Sequence, residues 1–256
     1  MPPGQLLHEQ QDHLGVLTFA ASPLRDRGEA GWRWTQALAE EATARCRDLD
    51  DPSTWAVALL AEAGLPSALA QQPPVADRDP SVYERLVSAV GALQRPAVVG
   101  LAGQAAGVGL AVALACDLRI VTEGARLMWP ELRRGLLPGA GAILRLARLA
   151  GPRILEPLLA TDGVGAEEAL HLGLVTEIVP RESLRPRTLQ VAEELASKGP
   201  QALRAIKEAF HRGRDLPLAL GTEVEVDLSV ILQTTRDRME GVRSFLERRP
   251  PQYLGR

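Results

Sequence analysis

The sequence predicts an α/β fold that passes into a helical C-terminal region. Up to about residue 139, short apolar strand-like runs alternate with segments of helical periodicity. From Ser183 onward every segment reads as helix, with Pro200 and Pro217 at helix starts. Alternation with short connections implies parallel pairing through right-handed crossovers. At 256 residues the chain suffices for one large domain with a small appendage. The expected division is an α/β core over 1–195 and a helical region over 196–256.

His13-Leu-Gly-Val-Leu-Thr-Phe19 reads as the first strand. From Trp32 to Leu49, a helix would carry Trp34, Leu38, Ala42 and Cys46 on one face. Trp55 to Leu60 is a continuous apolar run, as in a strand buried on both faces. The Pro-, Ala- and Gln-rich stretch over 63–80 reads as a loop on the side of the active site. A helix over 81–93 and a strand over 97–101 follow. Gly103 to Gly109 reads as a glycine-rich turn into a helix ending near Cys116, and 117–121 as another strand. Helices over 140–150, 152–160 and 166–172 precede a short strand at 174–179. No tandem repeat of 20–50 residues is visible.

Composition narrows the function. Apolar residues make up 46% and charged residues 24%, which fits a globular chain and not a disordered one. With 29 basic against 32 acidic residues, the net charge of −3 argues against a nucleic-acid binder. Cys46 and Cys116 are too few for a disulfide framework or a thiolate metal site, so the cytoplasm is the expected compartment. The N-terminal residues show no secretory or organellar pattern. From Pro96 to Cys116 the only polar side chain is Gln104, a run long enough to span a bilayer. Its alanine and glycine content, and the break at 100–103, favour a buried strand followed by a buried helix, with no membrane partner.

Several motifs fail on inspection. Gly107-Val-Gly-Leu-Ala lacks the third glycine of a dinucleotide fingerprint. There is no phosphate loop and no Gly-x-Ser-x-Gly elbow. His8, His13, His171 and His211 are scattered, with no acidic partner at ligand spacing, so no metal is expected.

The stretch from Arg95 to Gly141 is more specific. Arg95-Pro-Ala-Val-Val-Gly-Leu-Ala-Gly-Gln-Ala-Ala-Gly-Val-Gly leads to Ala113-Leu-Ala-Cys-Asp-Leu-Arg-Ile, then Trp129-Pro-Glu-Leu-Arg-Arg-Gly-Leu-Leu-Pro-Gly-Ala-Gly. Thr161-Asp-Gly-Val-Gly-Ala-Glu-Glu-Ala-Leu-His-Leu-Gly-Leu-Val175 and Glu240-Gly-Val-Arg-Ser-Phe-Leu-Glu-Arg-Arg-Pro250 follow in order. Together these resemble the enoyl-CoA hydratase/isomerase (crotonase) family over about residues 95–250, with weaker similarity from 13 to 94.

The resemblance implies a crotonase-like spiral of ββα units with a C-terminal helical trimerisation region, and a homotrimer or hexamer. Leu203, Ile206, Phe210, Val230 and Ile231 would supply apolar surface for that assembly. It implies an acyl-CoA or carrier-bound acyl thioester as ligand, with coenzyme A part of the substrate and no separate cofactor. The shared chemistry is stabilisation of a thioester enolate by two backbone N–H groups, here those of Ala68 and Val108. A helix starting near Gly107 suits that task, since its first N–H groups are unpaired and its dipole favours a developing oxyanion. Arg25, Arg27, Phe245 and Arg249 are the expected contacts for the phosphates and adenine, the last two from a neighbouring subunit.

The sequence departs from the family at four places. The usual Ala-Gly-Ala-Asp loop is Ala68-Leu-Ala-Gln71, and Val108 replaces the glycine at the second donor, with reduced φ freedom. Hydratases carry two glutamates twenty residues apart, and Ala111 stands at the first position, leaving Glu131. Leu127-Met-Trp-Pro places an apolar wall ahead of Glu131, a setting suited to a general base.

Hydration divides water activation and α-carbon protonation between two carboxyls, whereas one carboxylate can carry a proton between two carbons of an enolate. The expected activity is therefore single-glutamate double-bond isomerisation, or decarboxylation, ahead of hydration. A dehalogenase would need an aspartate near Gly139, and none is present. The alternative is a catalytically decayed acyl-CoA-binding or assembly subunit.

Overall fold

The structure is a computed structural model, described over residues 5–20, 34–65 and 81–256. Its main sheet combines β1 (Gln5–Gln11), β2 (Leu14–Ala20), β3 (Ala56–Ala61), β4 (Ala97–Leu101), β6 (Leu118–Thr122) and β9 (Glu177–Val179), in the order β1-β2-β3-β4-β6-β9. All pairs are parallel except the β1–β2 hairpin. A second sheet, β5-β7-β8, is made of three-residue strands: β5 (Gln104–Ala106), β7 (Arg126–Met128) and β8 (Gly163–Gly165).

The apolar runs become central strands because both of their faces are covered. Along β3, Val57, Leu59 and Ala61 join one core while Ala56, Ala58 and Leu60 join the other. The larger core holds α1 (Gln36–Asp48), α2 (Ser81–Ala92), α3 (Val108–Ala115) and α4 (Ala142–Ala150) against the sheet. α1 is started by Thr35, whose hydroxyl accepts from the Leu38 N–H at 3.1 Å. Its buried face carries Leu38, Ala42 and Cys46, as the periodicity predicts, and Trp34 is buried just before it. The opposite sheet face is closed by α7 (Leu184–Ala196), which comes so near β4 that a Cβ on Gly100 would lie 2.3 Å from the Thr188 hydroxyl.

A structural repeat emerges that the sequence does not display. Main-sheet strand, small-sheet strand, helix is the order of β4-β5-α3, and of β6-β7 leading to α4. After β3, Leu65 makes a single parallel bridge to Ala105, a rudimentary form of the same step. Two expectations are thereby corrected. The 103–109 segment is not simply a turn, since it contains β5, and residues 5–11 form a hairpin strand absent from the sequence reading.

α5 (Leu155–Ala160) and α6 (Ala166–His171) flank β8. α8 (Pro200–Gly213), α9 (Leu218–Gln233) and α10 (Arg236–Glu247) follow α7. α8 is fastened to the core by Lys207, whose ammonium donates to the Asp117 carboxylate at 2.6 Å and to the Arg95 carbonyl at 2.9 Å. Among the described residues no helix is long and apolar enough to cross a membrane; the Pro96–Cys116 run is β4, β5 and α3.

Candidate active site

β5 and β7 are parallel, in register from Gln104↔Arg126 to Ala106↔Met128, so both chains leave the small sheet at the same end. Beyond Ala106, Gly107 turns with φ 52° and ψ −117°, a conformation that glycine alone adopts without strain, and α3 begins. Beyond Met128 come Trp129 and a single 3-10 turn, Pro130–Arg134, that carries Glu131. The Gly107 N–H reaches the Met128 carbonyl at 3.4 Å, joining the two exits. Val108 and Glu131 thus lie two and three residues past the last paired residues of one ladder.

Val108 is the first helical residue of α3, and the first intrahelical bond runs from the Ala111 N–H to the Gly107 carbonyl at 3.0 Å. Its own N–H therefore precedes the hydrogen-bonded ladder, as an oxyanion donor must. The reduced φ freedom of valine proves irrelevant at this place. Val108 is helical, and the positive φ belongs to Gly107. At the other end of α3, Arg119 donates to the carbonyls of Cys116 (2.5 Å), Asp117 (3.2 Å) and Leu174 (2.6 Å), placing a cation where the helix dipole is negative.

The second donor expected from sequence, Ala68, lies outside the described residues, as do Leu69 and Gln71. The described chain before it is pinned at Leu65. The Leu65 N–H donates to the Gln104 carbonyl at 2.8 Å, and the Ala106 N–H donates to the Leu65 carbonyl at 2.8 Å. Gly109 makes this docking possible: a Cβ there would sit 2.0 Å from the Leu65 carbonyl oxygen. Gly109 is the contact that brings the first turn of α3 against the backbone leaving β3.

Glu131 is 1% exposed, following the buried Leu127 and Trp129. Its carbonyl accepts from the Leu136 N–H at 3.0 Å, and Gly135 closes the turn at φ 67°. Ala111, where the first glutamate of a hydratase would stand, is fully buried in the larger core beside Leu110 and Val112. Both cysteines are free and buried, and burial pushes each thiol up to about 12, which removes them as nucleophiles.

Arg25 and Arg27 fall outside the described residues. Phe245, on α10, is 80% exposed. Arg249, an expected contact for a neighbouring subunit's ligand, has its guanidinium bound to Glu240 bidentately at 2.6 and 3.0 Å and to Glu247 at 2.6 Å. Within this chain those donors are already spent on carboxylates. Of the histidines, His13 stacks on Trp55 at 3.6 Å and His211 faces Asp117 at 3.5 Å.

A ββα spiral carries a helix started by a glycine and a buried glutamate, both beyond one end of a parallel ladder. The family model for enoyl-CoA hydratase/isomerase matches residues 68–256, and the chain belongs to that family. It is 34% identical over 181 residues to a 2,3-dehydroadipyl-CoA hydratase of Escherichia coli, covering 70% of this chain and 69% of that one. A crotonyl-CoA hydratase of Syntrophomonas wolfei is 33% identical over 68% of this chain and 67% of its own length. The fold matches an enoyl-CoA hydratase from Bacillus anthracis with a TM-score of 0.87 at 28% identity, over 98% of this chain and 99% of that one. The crotonase fold expected from the sequence is therefore the fold observed.

Proposed function

We propose that this protein is an enzyme that binds an acyl-CoA thioester and moves a double bond with Glu131 as its single proton carrier. The observation that carries the reading is the pairing of a buried Glu131 with a buried Ala111 at the site where hydratases hold their first glutamate. In this scheme the Glu131 carboxylate removes a proton from C2 of a 3-enoyl thioester. The electron pair moves toward the thioester oxygen, which accepts hydrogen bonds from the Val108 and Ala68 N–H groups. Glu131, now protonated, returns the proton to C4, and the double bond ends between C2 and C3. Decarboxylation fits the same two amides, since loss of CO₂ generates the enolate without a base. No separate cofactor enters either route, coenzyme A being part of the substrate.

The relatives named above are hydratases by name, so the deciding experiment offers both substrates. The pure protein is mixed with a 3-enoyl-CoA, and absorbance of the conjugated 2-enoyl product is followed; a 2-enoyl-CoA is then tested for loss of that absorbance. Isomerisation well above hydration is expected. Fast hydration would overturn the single-glutamate reading. Absence of both, with the thioester still bound, would favour the non-catalytic binding or assembly subunit.

The active unit in this proposal is a homotrimer or hexamer. Ile206, Phe210, Val230 and Ile231 are exposed, while Leu203 is half-buried. Gly221 alone is buried along α9, and Leu218 is 87% exposed. So much apolar surface on one helical region fits an interface between copies. Light scattering should return a multiple of 27.5 kDa; a monomer at micromolar concentration would refute the assembly.

A further inference from the structure

We propose that Trp129 is the positioning residue for Glu131, clamping the chain just before it to the Thr161–Asp162 loop; this rests on the reading that Glu131 carries the proton. Trp129 is fully buried and donates to two consecutive carbonyls: its N–H to Asp162 at 2.7 Å and its indole Nε1–H to Thr161 at 2.7 Å. One bond fixes the backbone and the other fixes the ring. Pro130 follows, and its ring locks φ. Between the clamp and the Glu131 Cα, only the ψ angles of Trp129 and Pro130 remain soft. Downstream, the Leu136 N–H and the left-handed Gly135 close the turn onto the Glu131 carbonyl.

The loop that holds Trp129 is itself held. Gly163 pairs with Met128, and a Cβ on Gly163 would lie 2.3 Å from the Leu127 carbonyl oxygen, so the loop lies flat on β7. The Thr161 hydroxyl stands 3.0 Å from the carbonyls of Pro157 and Gly163 and accepts from the Gly163 N–H at 3.3 Å. Asp162 also pairs through its carboxylate with Arg133. Residues 129 and 133 flank the glutamate at equal separation, and both attach to Asp162, one at its carbonyl and the other at its carboxylate. A single loop thereby frames Glu131 from both sides. The ion pair is exposed on its Arg133 side and contributes little, so the indole is the principal anchor.

A displacement of about 1 Å at a proton-transfer group is enough to cost on the order of 10²-fold in rate. Trp129→Phe keeps most of the bulk and removes the Nε1–H donor. On a 3-enoyl-CoA, kcat should fall about 10- to 100-fold, with KM and the Kd for a saturated acyl-CoA each within about twofold. Amide hydrogen exchange should accelerate across residues 131–136 and stay unchanged in β3 and β4. Wild-type kcat with wild-type exchange would overturn the clamp. So would faster exchange throughout the chain together with lost thioester affinity, which marks a general packing role. If Trp129→Phe does not fold, Asp162→Ala carries the same readouts, with a fall of about threefold expected for the weaker anchor and no change refuting it. If the wild type shows no isomerase turnover, the reading of Glu131 fails by itself. Exchange across 131–136 still decides whether Trp129 fixes that turn.

Discussion

Gly109 offers the sharpest test of how the site is assembled. In Gly109→Ala the new Cβ would lie 2.0 Å from the Leu65 carbonyl oxygen, 2.4 Å from its carbon and 2.6 Å from the Leu65 Cβ. Two of these atoms are backbone, so no side-chain rotation relieves the clash. Restoring ordinary contact requires the first turn of α3 and the Leu65 segment to separate by about 1.4 Å. Two consequences follow with different sizes. Overpacking of this kind costs about 1–3 kcal/mol of stability, read as a lower thermal midpoint. The Val108 amide moves away from the chain that leads to Ala68, and a shift near 1 Å costs on the order of 10²-fold in turnover. The assay pairs thermal unfolding with isomerase turnover and acyl-CoA affinity. Gly124→Ala, where a Cβ meets nothing within 4 Å, is the control and should be nearly neutral. A Gly109→Ala protein with wild-type midpoint and turnover would refute the docking argument.

Other substitutions probe separate parts. Glu131→Gln should cut isomerisation by about 10²–10⁴-fold and leave acyl-CoA affinity nearly intact; full activity would end the single-glutamate mechanism. Ala111→Glu should add some hydratase activity, since it restores a second carboxyl one turn into α3, and product analysis for the 3-hydroxyacyl thioester checks it. Charge reversal at Arg25 and Arg27 should weaken CoA binding most at low salt; unchanged affinity in a titration would remove both from the site. Asp117 yields a pH prediction. Burial alone would raise its pKa, but hydrogen bonds from His211, Lys207 and the Ala97 N–H, with the Lys207 charge, hold it below the ordinary carboxylate range. A depressed folded pKa stabilises above the unfolded value of about 3.9 and ceases to do so as pH falls through the folded value. Asp117→Asn should therefore lower the thermal midpoint at pH 7, and the gap from wild type should narrow below about pH 4. A gap independent of pH would show that the carboxylate charge is not what fastens α8.

The sequence alone determined the parts whose signals are local. The strands at 56–61 and 97–101 are apolar throughout because both faces are buried, and composition records that directly. The α1 face repeats at helical spacing, and Glu131 and the glycines near 107 stand in a recognisable order of motifs. What escaped were elements with no local signal. β5, β7 and β8 have three residues each, too few for any periodicity, and exist because their backbones pair with one another. β1 is largely polar and exposed, and is a strand because β2 offers it an edge. The reason Gly109 must be glycine lies 44 residues away at Leu65, and the anchor of Trp129 lies 32 residues away at Thr161. Such contacts depend on which backbones the folded chain brings within hydrogen-bonding distance. Residue type along one stretch of chain does not encode that distance, so only the tertiary structure decided how the glutamate and the amide are held at one end of the small sheet.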